Sequence, residues 1–153
     1  MRDVKVTPIK NGTVIDHITP GMALHVLKII GIPDTGVQST VSVLMRVPSH
    51  KEKWKDIVKV EDRELDKSQV DKIALIAPNA TINIIRNFNV VEKHHVEAPD
   101  EVVGLVRCEN PSCITNKPRE PVRSRFTVAC RDPLQLRCGY CERITTDVAK
   151  HLF

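Results

Sequence analysis

Cysteine is the residue type whose spacing most strongly indicates chemistry in this sequence of 153 residues. Cys108 and Cys113 enclose four residues, Cys138 and Cys141 enclose two, and 24 residues separate the two pairs. Each pair can form a tight turn that directs two sulfurs at one ion, and two such turns complete a tetrahedral site. Because four thiolates leave no open coordination position, the spacing predicts one structural Zn²⁺ and not a catalytic metal.

The fifth cysteine, Cys130, is expected to be a core residue and not a ligand. It continues the alternation of Phe126 and Val128 along one face of a predicted strand. An odd number of cysteines, without an N-terminal apolar stretch of the secretory type, argues against a disulfide framework. The sequence therefore predicts reduced thiols and a cytoplasmic location.

Outside the cysteines, the sequence favours binding over catalysis. The six glycines are scattered, and they form neither a phosphate-binding loop nor a dinucleotide fingerprint. Asp16 and His17 could suggest an acid and a base, but adjacent strand residues point to opposite faces. Lys59 and Lys93 each lie near the end of a predicted strand, where a long cation could reach a phosphate. A lone lysine is more often only solvated, so this pair needs further support.

Charge and composition exclude several classes of protein. Residues 105–153 carry nine basic and five acidic side chains, which accounts for the whole net charge of +4. No apolar run approaches the ~18 residues of a membrane span, so no membrane partner is predicted. Aromatic residues make up 3%, too few for the base-stacking surface of single-strand nucleic-acid binders. A nucleic-acid-binding zinc ribbon stays as the alternative, because seven of the eleven arginines lie in the cysteine-rich segment.

The elements that must position these residues are short strands and helices. Alternating and β-branched residues predict strands over 14–18, 41–47 and 57–60, a basic loop over 49–55, and a hairpin of 81–85 and 88–91 around Arg86 and Asn87. Thr19 can cap a first helix that Gly31 closes, with Pro20 at its first position. Ser68 and Asp71 have capping-box spacing for a second helix that Pro78 ends. This order predicts an α+β fold, a ferredoxin-like antiparallel sheet with two helices on one face.

A polar stretch at 97–101 is predicted to separate two domains, residues 1–98 and 102–153. His94 and His95 precede this boundary and are expected to be solvated or part of the linker. The second domain has short predicted strands over 102–106, 126–130 and 134–138, too few for a large core. It is therefore predicted to be a small all-β, zinc-ribbon-like domain that its metal stabilises.

Five motifs, in this order, make the sequence resemble the regulatory chains of aspartate carbamoyltransferase over essentially its full length. They are Gly12-Thr-Val-Ile-Asp-His-Ile18, Lys55-Asp-Ile-Val-Lys-Val-Glu61, Ala77-Pro-Asn-Ala-Thr-Ile-Asn83, Cys108-Glu-Asn-Pro-Ser-Cys113-Ile114 and Cys138-Gly-Tyr-Cys141-Glu142. The resemblance implies a non-catalytic subunit of pyrimidine biosynthesis. Its N-terminal domain would bind the effectors CTP and ATP and form homodimers, and its zinc domain would dock on the catalytic chain.

The resemblance also assigns an effector site by position. Lys59 and Lys93 would contact phosphates and ribose, with Asp16 and His17 near the sugar and phosphate side. The residues that would frame the base are Val6, Thr7, Pro8, Ile9, Asn83, Ile85, Phe88 and Val90, and Val14 completes the set. These assignments bring together lysines that spacing alone could not connect.

Overall fold

The computed structural model describes residues 8–32 and 38–153. Its backbone packing divides the chain into two compact units, Met1–Glu97 and Ala98–Phe153. Val6 and Thr7, two of the expected base contacts, lie outside the described residues. In the described ranges, no helix is long and apolar enough to cross a membrane.

The first unit is a five-stranded antiparallel sheet with two helices. The strands are β1 (Gly12–Ile18), β2 (Val41–Pro48), β3 (Trp54–Glu61), β4 (Thr81–Arg86) and β5 (Asn89–His95), and the helices are α1 (Ala23–Ile30) and α2 (Lys67–Ile76). Spatially the strands follow the order β2-β3-β1-β4-β5, and every neighbouring pair is antiparallel. The predicted α+β fold class is confirmed.

Alternation along the central strands separates a buried face of the sheet from the opposite face. Ile15 of β1 pairs with Val58 of β3 and with Ile82 of β4, and all three are almost completely buried. The helices bury Ala23, Val26, Leu27, Ile30, Ile73 and Ala74. Each large apolar side chain removed from water in this way contributes about 1.5–3 kcal/mol. The residues that alternate with this row must project from the other face of the sheet.

Both helices begin at residues other than those predicted. Helix α1 starts at Ala23, and Thr19 instead accepts a turn hydrogen bond from Met22 through its carbonyl oxygen. Helix α2 has its capping box at Asp66 and Gln69, which bond to each other's backbone N–H groups. Asp66 is extended, as a capping residue must be, whereas Ser68 already lies inside the helix.

Several strand boundaries also differ from prediction. β3 begins at Trp54, so the predicted basic loop ends earlier and Lys55 belongs to the sheet. The hairpin of β4 and β5 turns at Asn87 and Phe88, one residue later than predicted, and both have positive φ angles of 52° and 65°. Two left-handed residues give the tight turn whose twist matches that of paired strands. His94 and His95 are exposed, as expected, but they lie within β5 and not in a linker.

The second unit is a small all-β unit, as predicted. Its sheet contains β6 (Glu101–Val103), β7 (Arg125–Arg131), β8 (Leu134–Cys138) and β9 (Ile144–Thr145) in that order, with 3-10 turns at Ile114–Asn116 and Val148–His151. Its core is formed by Val102, Val106, Phe126, Leu136 and Val148. The predicted strand over 102–106 stops at Val103, because Gly104 has a φ of 73°. Strand β9 was not predicted.

Cys130 differs from the prediction in its burial. It is intermediate in exposure and does not belong to the core. The pairing of β7 with β8 shifts between Val128 and Cys130, so the alternation that begins at Phe126 is interrupted before Cys130. An irregular strand pairing of this kind changes the face to which the following side chain points.

Candidate metal centre and effector face

The four predicted metal ligands come together in the second unit. The sulfur atoms of Cys108, Cys113, Cys138 and Cys141 all lie within 4.8 Å of one another. The Sγ atoms of Cys108 and Cys141 are 3.6 Å apart, and those of Cys113 and Cys138 are 3.7 Å apart. A tetrahedral Zn²⁺ with bonds of about 2.3 Å separates its sulfur ligands by about 3.8 Å. The arrangement therefore fits a structural ion of this size with four thiolate ligands.

Local hydrogen bonds shape the turn that carries the first two cysteines. Cys113 donates its backbone N–H to the Asn110 carbonyl at 3.0 Å. The side-chain amide of Asn116 donates to the carbonyl oxygens of Cys108 and Asn110 at 2.8 and 2.7 Å. The Thr115 hydroxyl donates to the Cys113 sulfur at 3.2 Å. Hydrogen bonds outside the ligands orient them for metal binding.

The second turn follows directly from the end of β8. Cys138 is its last strand residue, and Glu142 donates its backbone N–H to the Cys138 carbonyl at 3.0 Å. Glu109 lies between the first two cysteines in the sequence and forms an ion pair with Arg143 at 3.2 Å. Its other carboxylate oxygen lies 3.9 Å from Nε2 of His151. Glu109 thus links the first turn to the residues that follow the second turn and to the C-terminal segment.

The environment shifts the pKa values of the thiols in opposite directions. Burial raises the pKa of Cys108 and of Cys138 above the ordinary value, although backbone hydrogen bonds oppose the effect. Burial also disfavours the Cys141 thiolate, but hydrogen bonds from the Arg143 backbone and the Asn110 side chain outweigh it and lower the pKa to about 7. Burial thus disfavours the thiolates of Cys108 and Cys138, and a bound cation would favour them.

The first unit places several predicted effector residues in one row across the sheet. Lys59 pairs with Val14, Val14 pairs with Asn83, and Asn83 pairs with Lys93, on the face opposite the buried row. The strands β3, β1, β4 and β5 are each about 4.8 Å apart, so the two lysines are separated by roughly 14 Å at their backbones. The Asn83 amide donates to the Val14 carbonyl at 3.3 Å.

Lys59 and Lys93 differ in their surroundings. Lys93 is exposed, whereas Lys59 is half-buried. Burial lowers the pKa of Lys59, and the nearby Asp16 carboxylate partly opposes this shift. A cation that is partly removed from water gains from an anion brought beside it. The row can therefore attract an anionic ligand from both ends.

Asp16 and His17 do not point to opposite faces, so the sequence argument about this pair is wrong. The register of β1 shifts between Ile15 and Ile18, and His17 has a φ of 56°. The His17 Nε2 atom lies 3.8 Å from an Asp16 carboxylate oxygen, and the His17 backbone N–H donates to the same carboxylate at 2.6 Å. This bulge keeps an imidazole and a carboxylate together beside the row.

Two buried polar atoms near the bulge have no hydrogen-bond partner within the described part of the chain. They are Nδ1 of His17 and Oγ1 of Thr81, and Thr81 pairs with Asp16 across β1 and β4. Burial also lowers the pKa of His17, against the effect of Asp16. Polar atoms left in this state normally have a partner in water or a ligand.

The remaining predicted base contacts are placed with less convergence. Ile85 is buried and pairs with Gly12 and with the exposed Val90, next to the row. Pro8 is exposed and Ile9 is buried, and both lie outside a regular strand. Phe88 is 64% exposed in the tip of the hairpin, so the structure does not place it in the row.

Lys55 lies beside Asp16, and sequence reasoning did not single it out. Its Nζ atom lies 2.9 Å from an Asp16 carboxylate oxygen, and it is largely buried. Its assignment to a loop hid the signal, since Lys55, Ile57 and Lys59 have the spacing of one strand face. A longer strand prediction would have placed Lys55 beside Lys59.

Comparisons with known proteins agree with both halves of this description. The family model described as the aspartate carbamoyltransferase regulatory chain, allosteric domain, matches residues 4–97, and the model of its metal binding domain matches residues 100–149. A regulatory chain from Methanocella arvoryzae is 60% identical over 99% of this chain and 97% of its own length. Regulatory chains from Methanothrix thermoacetophila and Thermoplasma volcanium are 57% and 53% identical over 99% and 93% of this chain, and 97% and 92% of their own.

Proposed function

The chain belongs to the family of aspartate carbamoyltransferase regulatory chains, and we propose that it binds nucleoside triphosphates on its first unit and docks on catalytic trimers through its second. The family membership makes it a regulatory and not a catalytic subunit, with an allosteric domain and a metal-binding domain. The alternative of a nucleic-acid-binding zinc ribbon is less well supported, because both matched domains are those of a regulatory chain.

The observation that carries the nucleotide proposal is the row from Lys59 to Lys93. Two cations at the ends of a row suit a triphosphate, since lysine acts as a mobile point charge for phosphate. The unpartnered Nδ1 of His17 and Oγ1 of Thr81 offer further contacts to ribose or phosphate oxygens. CTP and ATP are the proposed ligands.

Replacing Lys93 with Ala tests the nucleotide site. We expect the affinities for CTP and ATP to fall about tenfold, because one charge-assisted contact to phosphate is lost. The matched control is Lys28→Ala, which removes an exposed lysine from α1. Isothermal titration of the full chain measures both variants, and an unchanged affinity in the Lys93 variant would show that the site is elsewhere.

The docking proposal rests on the surface around the cysteine cluster. Ile114 and Tyr140 are 42% and 47% exposed, and each is adjacent in sequence to a cluster cysteine. Exposed apolar and aromatic side chains held by a rigid centre are typical of protein interfaces. The bound metal is proposed to be Zn²⁺, which would lock the two turns and so shape this surface.

The assembly and location are proposed from the family membership. The first units would pair as homodimers, and three such dimers would join two catalytic trimers. Effector binding would shift the complex only if the two quaternary states bind nucleotide unequally. We propose that the segment at 97–101 transmits this difference to the second unit. The cytoplasm suits the chain because its metal-binding thiols must stay reduced.

A further inference from the structure

Asp56 is a buried carboxylate whose partners are backbone N–H groups. It is completely buried in β3. One carboxylate oxygen accepts hydrogen bonds from Gly21 at 2.9 Å and Ala23 at 3.1 Å, and the other accepts one from Arg46 at 2.8 Å. Backbone donors can satisfy a buried carboxylate, and removing such an acceptor leaves the donors without a partner.

These donors come from two segments of the chain, the start of α1 and strand β2. Gly21 and Ala23 lie at the entry to α1, directly after β1. Arg46 lies in β2 where the pairing with β3 shifts, and its φ is 54°. Asp56 itself pairs with Ile18, the residue at which the register of β1 resumes after the bulge.

We infer that Asp56 is a positioning residue for the effector face, the side of the sheet that carries the row from Lys59 to Lys93. Asp56 holds the bulge at Asp16 and His17 in shape. Regular pairing of β1 with β3 ends at Ile15 and resumes where Ile18 pairs with Asp56, and the Asp56 carboxylate then binds the backbone at Gly21. The bulge is therefore confined between two fixed points. Only the effect of this role on nucleotide binding rests on the proposed function, because the hydrogen bonds of Asp56 and the bulge are features of the chain without a ligand.

Lys55 holds the same bulge from the other face of the sheet. It precedes Asp56 in β3, and adjacent strand residues project to opposite faces. Its Nζ atom lies 2.9 Å from the Asp16 carboxylate. Asp56 and Lys55 thus hold Asp16 and His17 in place from opposite faces of the sheet. Asp56 acts through hydrogen bonds to the backbone, and Lys55 acts through an ion pair.

Hydrogen exchange in the full zinc-loaded chain tests the positioning role without nucleotide. In Asp56→Asn the amide offers one acceptor oxygen and one donor group, so at least one backbone N–H loses its partner. The His17 N–H donates to Asp16, and we expect its exchange to accelerate about tenfold more than that of Ile82 in β4. Ile73→Val, which weakens the core of the same unit, is the control and should affect both amides alike.

Equal acceleration at His17 and Ile82 in Asp56→Asn would overturn the inference, because it would show a general loss of stability. If the Asn variant does not fold, Asp56→Glu keeps the charge but displaces the carboxylate, and the same comparison applies. Selective acceleration at His17 in either variant supports the inference.

A double-mutant cycle adds the functional readout. Asp56→Asn should weaken CTP binding about tenfold, but it should weaken it no further in a His17→Ala background. Additive losses would overturn the inference, since Asp56 would then act independently of the bulge. If the unaltered chain binds neither CTP nor ATP, the proposed function fails, while the exchange comparison still decides the role of Asp56.

Discussion

Lys59 and Lys93 lie on one face of the same sheet, three strands apart, with Val14 and Asn83 between them in one cross-strand row. Neither lysine is distinctive in the sequence, where 33 residues separate them. The antiparallel register alone makes them part of one surface.

Cys113→Ser should remove metal from the second unit and abolish docking on catalytic trimers while leaving nucleotide binding largely intact. A structural Zn²⁺ supplies folding free energy, about 10–16 kcal/mol in zinc-finger peptides, and three thiolates retain only part of it. Elemental analysis, co-purification with the trimers and nucleotide titration measure the three effects. Cys130→Ser, outside the cluster, should retain metal. Assembly of a metal-free Cys113 variant would refute this division of roles.

The stability of the chain should contain a pH-dependent part that comes from His17. Burial lowers its folded pKa below the ordinary 6.5, so the unfolded chain binds more protons as the pH falls through 6.5 toward the folded value. Stability is therefore lost on acidification and is fully present above 6.5. Urea unfolding at pH 5.5 and 7.5 should show a smaller difference for His17→Gln than for the unaltered chain. Equal differences would contradict the prediction.

Asn116→Ala should loosen the turn that holds the first two cysteines. Its amide donates to the Cys108 and Asn110 carbonyls, and loss of a partly buried hydrogen-bond donor costs about 1–3 kcal/mol. Thermal unfolding and competition with a zinc chelator should both show a weaker second unit. Asn89→Ala, which removes a hydrogen bond between exposed residues, is the control. Identical melting and zinc retention in the two variants would argue against this role.

Phe88→Gly should stabilise the first unit by about 1 kcal/mol, because Phe88 has a left-handed conformation that glycine adopts without strain. Urea unfolding measures this gain. Nucleotide titration of the same variant asks a separate question, whether the Phe88 ring contacts the base as the resemblance implies. A stabilised chain with unchanged affinity would remove Phe88 from the effector site.

The sequence predicted the elements best where periodicity was strong. β2 was found because apolar residues repeat at every second position, and the buried stripe of α1 was found from its helical spacing. The start of α1 was wrong because Asp56, distant in sequence, binds the N–H groups of Gly21 and Ala23. A cap supplied by another strand leaves no local pattern.

The metal site and the proposed nucleotide site differ in how much of each could be predicted from the sequence alone. The cysteine cluster was predictable because each pair is local and thiolate geometry is restrictive. The proposed nucleotide site required the resemblance, since its members lie on four strands and become neighbours only through register. The bulge at Asp16 and His17 was missed because a positive φ at histidine cannot be read from alternation.

The row of Lys59, Val14, Asn83 and Lys93 takes one residue from each of four strands. Sliding any of these strands by a single position would turn its contribution to the helix side and break the row. A ligand that contacts both lysines would stabilise the four strands in this alignment. Because the row exists only when all four strands are correctly aligned, binding of that ligand would also report that the sheet has folded correctly.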